Sequence, residues 1–360
     1  TISVDLEKKW LGFQDPLNGS FECAIADLQQ FHKAAKHSTR MALRLPGRPK
    51  ERFEFANIDE RERFWEMLWQ VRGIPMQTHL TVFCTTFNLG EQRGPENLEN
   101  WIPEGYDVYA VGVQECEYIP HRQYDSVEAD LFDGVQRHLG QEYAKIAGQS
   151  LLSIRLIVFI RRKYVLSCTN VKMRKVACGH LKKVGNKGAV AISFNLLNTR
   201  FCFVTAHLAA HDEKYNERNA DMENIWLGLR NLVPPGMSPL NYFHYLFFFG
   251  DLNYRVELPR EHVLTYIEQG DVAMLLSKDQ LNRAMSEKAA FFGFTEGPIA
   301  FAPTYRLLRG RDGYSEEKAR TPSWTDRVLW RALPAAEVTL GAYSSCPAVT
   351  TSDHRPVFGA

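Results

Sequence analysis

Six short apolar runs, each closed by polar residues that an ordinary turn does not call for, constrain this chain more than any other feature. They are Leu80 to Thr85, Val108 to Val113, Ile154 to Ile160, Gly188 to Phe194, Phe201 to Ala206 and Tyr245 to Phe249. Runs of this length, rich in β-branched and aromatic residues, predict strands buried on both faces. Helical patterns lie between them, notably Val127 to Leu139 and Glu217 to Leu229. Strands alternating with helices and hairpins predict an α/β layered sandwich. No internal repeat or low-complexity tract interrupts them.

The texture changes near residue 75, which predicts a division into residues 1–75 and 76–360. Before it lie short mixed segments, a turn at Leu45-Pro46-Gly47-Arg48-Pro49, and a helix over Ile58 to Val71. Phe64, Trp65, Leu68 and Trp69 recur there at helical spacing, Asp59 and Glu60 suit the positive end of the helix dipole, and Gly73 and Pro75 stop it.

A chain of 360 residues, 45% hydrophobic, can bury a large core. Its formal net charge is only +1, so overall charge attracts neither nucleic acid nor membrane; attraction for an anion must come from local clusters. Seven cysteines stand singly, at 23, 84, 116, 168, 178, 202 and 346, with no CxxC pair. That usage predicts reduced thiols in a cytoplasmic protein. Thr1 to Trp10 lacks the apolar run of a signal peptide, and the apolar run near Tyr245 to Phe249 is too short to span a bilayer.

The polar residues at the strand ends carry the chemistry. Asn88 follows the first run and Gln114-Glu115 the second; Gly250-Asp251-Leu252-Asn253 follows the last, and Ser352-Asp353-His354 lies near the C-terminus. Taken singly, each reads as a turn or cap residue; four such tips in one chain argue for convergence. Oxygen donors from Glu, Asn and Asp suit Mg²⁺. A His and an Asp beside them suit hydrolysis. His207 and His211 stand at i, i+4, which leaves a zinc pair open, but there is no HExxH arrangement, and phosphate contact by His207 is the favoured reading.

Basic segments supply the anion-binding side. Lys182-Lys183-Val184-Gly185-Asn186-Lys187-Gly188 joins cations to glycines that admit close phosphate approach, without a Walker A pattern; a solvated hairpin turn is the plainer alternative. Pro303-Thr304-Tyr305-Arg306, Lys318-Ala319-Arg320 and Trp324-Thr325-Asp326-Arg327 form further clusters, and Arg309 to Lys318 reads as a mobile surface loop between two arms of a clamp. Surface ion pairs of little worth are the alternative for any one of these cations.

These motifs together resemble those of the inositol polyphosphate 5-phosphatases. The matching segments are Phe248 to Arg255 (FFGDLNYR), Pro322 to Trp330 (PSWTDRVLW), His207 to His211, Gly185 to Gly188 and Ser352 to Val357, in the family's order over residues 79–360. The resemblance implies a four-layer α/β (α+β) sandwich of the exonuclease III, endonuclease and phosphatase type, with two packed sheets flanked by helices. It implies Mg²⁺ as cofactor, with Glu115, Asn88 and Asp353 as its ligands. Asp251 would orient or deprotonate the attacking water, helped by Asn253. His354 would face the phosphoryl group, fixed by Asp326, while His207 would contact the 5-phosphate. Asn186, Lys187, His211 and Arg255 would bind substrate, and Tyr305, Arg306, Lys318 and Arg320 would grip the 4-phosphate.

Arg306 stands where the family usually has Lys, as in the branch preferring phosphatidylinositol 3,4,5-trisphosphate, whereas Lys318-Ala319-Arg320 resembles other branches. Phe87, Ala206, Ser323 and Thr325 also depart from the customary Trp, Ser, Ala and Cys. The partners so implied are phosphoinositides at the cytosolic face of a membrane and soluble inositol polyphosphates, with no nucleic acid. Ile119 and Leu181, Lys182 and Lys183 are the expected membrane-contacting residues. Residues 1–75 resemble the end of a pleckstrin-homology-like domain, on Phe53-Glu54-Phe55 leading into the Trp-bearing helix.

Overall fold

The computed structural model describes residues 2–5, 10–15, 19–24, 28, 30–33, 39–44, 47, 49–72, 79–179, 187–197, 199–333 and 336–360. The chain divides into two compact units, Thr1–His79 and Leu80–Ala360.

In the first unit, strands β1 (Ile2–Asp5), β2 (Trp10–Asp15) and β3 (Gly19–Ala24) form one antiparallel sheet, and β4 (Gln30–Lys33), β5 (Arg40–Arg44) and β6 (Lys50–Glu54) form another. Helix α1 (Ile58–Arg72) closes the unit. Asn57 starts that helix, its Oδ1 accepting from Glu60 N at 2.8 Å. Leu11, Phe13 and Cys23 from the first sheet, Met41 and Leu43 from the second, and Phe64, Trp65 and Leu68 from α1 share one core. The side chain of Trp69 and the expected stop at Gly73 and Pro75 lie outside the described residues.

The second unit runs β7 (Val82–Asn88), β8 (Val108–Gln114), α2 (Val127–Leu139), β9 (Tyr143–Leu151), β10 (Ile154–Arg161), β11 (Cys168–Ala177), β12 (Gly188–Leu196), β13 (Thr199–His207), α3 (Tyr215–Leu229), α4 (Pro239–Tyr242), β14 (Tyr245–Asp251), α5 (Arg260–Glu268), α6 (Val272–Leu276), α7 (Gln280–Ser286), β15 (Thr295–Glu296), β16 (Asp326–Ala332), β17 (Tyr343–Ser345) and β18 (Val357–Gly359). One six-stranded sheet has the order β17-β18-β7-β8-β10-β9, the other β11-β12-β13-β14-β16-β15.

Alternation along each strand builds the layers. In β10, Leu156, Val158 and Ile160 join Ile192, Phe194, Phe203, Phe247 and Phe249 between the sheets. Ile157 and Phe159 point the other way, onto Phe132, Val135 and Leu139 of α2. The second sheet likewise turns Ala191, Val204, Leu246 and Phe248 outward beneath Met222, Ile225 and Leu229 of α3 and Leu281 of α7. The result is helix, sheet, sheet, helix: the four-layer sandwich that the motifs imply. Among the described residues no helix is long and apolar enough to cross a membrane.

Candidate active site

Strand register brings distant side chains to one rim. Parallel pairing of β13 with β14 sets His207 beside Asp251, and antiparallel pairing of β14 with β16 sets Asp251 beside Asp326. In the other sheet, β7 and β8 end together at Asn88 and Gln114, so Glu115 emerges one residue later. The two sheets are joined at this rim: Asn88 Nδ2 donates to Asp251 Oδ2 at 2.9 Å, and Gln114 Nε2 to Thr205 Oγ1 at 3.0 Å. Gly250 makes the approach of β14 to β13 feasible. Its φ is +150°, and a Cβ there would stand 2.0 Å from the Ala206 carbonyl oxygen.

The buried groups are tuned against one another. His354 Nδ1 lies 2.8 Å from Asp326 Oδ2, which also accepts from Thr304 Oγ1 at 2.8 Å and Thr325 Oγ1 at 3.0 Å. Burial alone would lower the His354 imidazole, but the Asp326 charge and hydrogen bond, with Asp251 and Asp353 behind them, raise it to about 9. Burial pushes the Asp326 carboxyl up while His354 pulls it back, so the dyad holds a proton at neutral pH. Burial would also raise Asp251, yet the His207 hydrogen bond and the charges of His207, His354 and Lys187 hold it well below the carboxylate range. His207 is pushed down, first by burial and then by the Lys187 ammonium against its Nε2.

A pocket of about 320 Å³ gathers most of the expected site residues. Glu115, Lys187, His207, His211, Asp251, Asn253, Arg255, Tyr305, Arg306, Lys318, Arg320, Asp353 and His354 all line it. Asn88 and Asp326 are fully buried just behind them. Asn186, Leu181, Lys182 and Lys183 lie outside the described residues, and Ile119 is 90% exposed. Arg255 is buried, bonded to Asn253 Oδ1 at 2.5 Å and stacked 4.7 Å from the Tyr305 ring, which itself packs 4.5 Å from the His354 ring. Glu115, His211, Asn253 and Lys318 adopt left-handed φ values between 49° and 79°, conformations that bulky residues hold only when their surroundings enforce them.

The structure adds one residue and removes one alternative. Arg309, placed from sequence in a surface loop, reaches the pocket and bonds Gly90 O at 2.9 Å and Asp353 Oδ1 at 3.3 Å. A charged, glycine-rich run gave no sign of this, since surface loops look the same. His207 and His211 do not share a helix face: His207 ends β13, a non-helical segment follows, and His211 instead meets Arg320 at 3.1 Å.

The donors fit a hard divalent cation. Glu115 turns a partly exposed carboxylate into the pocket, 3.8 Å from His207 Nε2, and the Asn88 amide oxygen stands one strand away. Asp353 is nearby but engaged by Arg306 at 3.0 Å and by Arg309. Asp251, Asp326 and His354 also bring their ligand atoms within 4.8 Å of one another, and Asp326 Oδ1 is buried without a hydrogen-bond partner. His354 Nδ1 is already taken by Asp326 at 2.8 Å, which fits a hydrogen-bonded dyad.

The model of endonuclease/exonuclease/phosphatase family 2 matches residues 85–360. The inositol polyphosphate 5-phosphatase domain of SPsynaptojanin, solved in complex with inositol (1,4)-bisphosphate and calcium ion, is 35% identical, with a TM-score of 0.69 over 78% of this chain and 83% of that one. The chain belongs to the inositol polyphosphate 5-phosphatase family. Phosphatidylinositol 3,4,5-trisphosphate 5-phosphatase 1 of Xenopus laevis is 34% identical over 344 residues, covering 86% of this chain and 33% of that protein. Type II inositol 1,4,5-trisphosphate 5-phosphatase of Mus musculus is 35% identical over 288 residues, covering 76% of this chain and 29% of that protein. The chain spans about a third of the length of the curated relatives it matches. Its Thr325 contributes a hydroxyl to Asp326.

Proposed function

We propose that this chain hydrolyses the 5-phosphate of phosphatidylinositol 4,5-bisphosphate or 3,4,5-trisphosphate, and of soluble inositol polyphosphates, with Mg²⁺ as cofactor. The observation that carries the reading is the meeting of Glu115, Asp251 and His354 from different strand ends in one pocket ringed by Lys187, Arg255, Arg306, Lys318 and Arg320. Relatives named for 3,4,5-trisphosphate lipid and for inositol 1,4,5-trisphosphate support the substrate class, and a bound calcium ion in SPsynaptojanin supports a divalent cation.

Asp251 and Asn253 orient a water for in-line attack on phosphorus; the bond to the inositol oxygen breaks as the bond to water forms, and of the two water protons one ends on the departing inositol oxygen and the other on the released phosphate. Asp251 stays ionised beside His207, His354 and Lys187, and its negative charge orients the water and draws its proton away from phosphorus. Protonated His354, held by Asp326, donates to a phosphoryl oxygen as charge develops. Lys187, just before β12, and His207, at the end of β13, flank the same group from the neighbouring strands. Glu115 and Asn88, with Asp353 beside them, would hold Mg²⁺, which when bound neutralises phosphoryl charge. Tyr305, Arg306, Lys318, Arg320 and His211 grip the neighbouring phosphate.

The lipid substrates imply action at the cytosolic face of a membrane. Exposed Ile119 supports that placement, and Ile119→Asp should weaken binding to anionic vesicles; unchanged binding would leave that loop as ordinary solvent surface. Two antiparallel sheets closed by a helix with buried Trp65 support the pleckstrin-homology-like reading of residues 1–75. Phosphate release from a panel of lipid and soluble inositol phosphates, set beside cleavage of abasic DNA, tests the activity; DNA cleavage alone would replace it with a nuclease.

A further inference from the structure

Arg218, on α3, is fully buried, yet no carboxylate among the described residues stands within ion-pair distance of it. Burying a cation this way is expensive unless its N–H groups are met. Its Nη groups are met mostly by one short segment, while its buried Nε has no hydrogen-bond partner. Nη1 donates to the carbonyls of Ala209 at 3.0 Å and His211 at 2.7 Å, and Nη2 donates to the carbonyl of Asp212 at 3.4 Å and to Gln280 Oε1. The guanidinium also stacks 5.3 Å from the Tyr254 ring. Asp221, almost one turn along α3, accepts from Ala209 N at 3.1 Å, and Gln280 Nε2 donates to Asp212 O at 3.1 Å.

The segment so gripped contains a strained residue. His211 has φ +79°, and its side chain lines the pocket with Nδ1 3.1 Å from Arg320. A non-glycine residue keeps that backbone conformation only when its neighbours over-determine it. The shortest of the three carbonyl bonds from Arg218 goes to His211 itself.

We propose that Arg218 is a positioning residue that fixes His211, and through it Arg320, for the phosphate adjacent to the scissile one. It sets affinity for substrates carrying that second phosphate and leaves turnover nearly untouched. This inference rests on the proposed 5-phosphatase activity.

The test compares wild type, Arg218→Lys, Arg218→Met, His211→Ala and the Arg218→Met/His211→Ala double variant on two soluble inositol phosphates. Both carry the 5-phosphate, and only one carries the 4-phosphate. For the vicinal substrate, Arg218→Met should raise KM about tenfold with kcat within about twofold, the pattern of lost ground-state binding. For the other substrate neither constant should move beyond about twofold. Arg218→Lys should recover part of the KM, and the double variant should be no worse than the single ones. Equal losses on both substrates, additive effects, or unchanged constants would overturn the inference.

Amide hydrogen exchange at residues 208–212 reads the same claim without catalysis. Faster exchange in Arg218→Met, with α3 still protected, supports it; unchanged rates contradict it. If wild type hydrolyses neither substrate, the functional reading fails and exchange alone decides the role of Arg218. If Arg218→Met does not fold, Arg218→Lys carries both measurements.

Discussion

Asp326 Oδ2 and His354 Nδ1 lie 2.8 Å apart, both buried, across 28 residues of chain. One begins β16 and the other precedes β18, so the pair ties the two sheets at the rim of the pocket. Removing the carboxylate takes away the group that keeps His354 protonated and oriented. Asp326→Ala should lower kcat by at least about 10²-fold, the scale of a lost acid–base group. Steady-state kinetics with a soluble substrate would show it, and turnover close to wild type would remove the dyad from the chemistry.

Gly250 precedes Asp251 where no side chain fits. Gly250→Ala would drive a Cβ into the Ala206 carbonyl and force a φ of +150° on alanine. The chain should lose more than about 1 kcal/mol of stability, with turnover falling because Asp251 is displaced. Urea unfolding with kinetics on the same sample checks both, and unchanged values would mean that β13 and β14 can separate at this point.

Arg327 is fully buried beneath the site and makes paired bonds to Glu296 at 2.6 Å and to both Asp279 oxygens at 3.0 and 3.1 Å. Arg327→Met leaves two buried carboxylates without their cation. It should cost about 3–5 kcal/mol in urea unfolding. A loss within experimental error would show that the carboxylates find other partners.

Asp130 predicts a pH signature away from the site. It accepts from Arg93 Nη2 at 2.7 Å, from His121 N at 3.1 Å, and pairs with His121 Nδ1 at 2.9 Å. Burial would raise its carboxyl, but the His121 and Arg93 bonds bring it below its ordinary value of 3.8. A carboxylate with a lower value folded than unfolded adds stability above the unfolded value and loses it as pH falls through the folded one. Asp130→Asn should therefore lower Tm at pH 7, and the gap should close below about pH 4. An equal gap at both pH values would assign the effect to packing.

How far the sequence alone reaches depends on burial. β8 and β10 are apolar on both faces, so Val108 to Val113 and Ile154 to Ile160 read as strands within a residue or two of their observed ends. β11 is an edge strand bearing Lys172, Arg174 and Lys175, and its exposed face erases the apolar signal. β9 is half-exposed and escaped for the same reason. The zinc pair left open by the i, i+4 spacing of His207 and His211 drops out, because that spacing has meaning only on a helix and His207 ends β13. The pairing of Asp326 with His354 was legible only through the family resemblance, since nothing local to either residue tells of the other. Arg309 and Arg218 depend on where loops fold back, which charge and spacing do not encode.

The central claim is that one pocket joins a divalent cation, Asp251 and a 5-phosphate. The direct measurement is phosphate release from inositol 1,4,5-trisphosphate and phosphatidylinositol 4,5-bisphosphate by wild type and Asp251→Ala, with Mg²⁺ and with chelator. The expected result is release at the 5-position by wild type with Mg²⁺ only, reduced at least about 10²-fold in Asp251→Ala. Release that persists in chelator, or that is equal in the two proteins, would contradict the account.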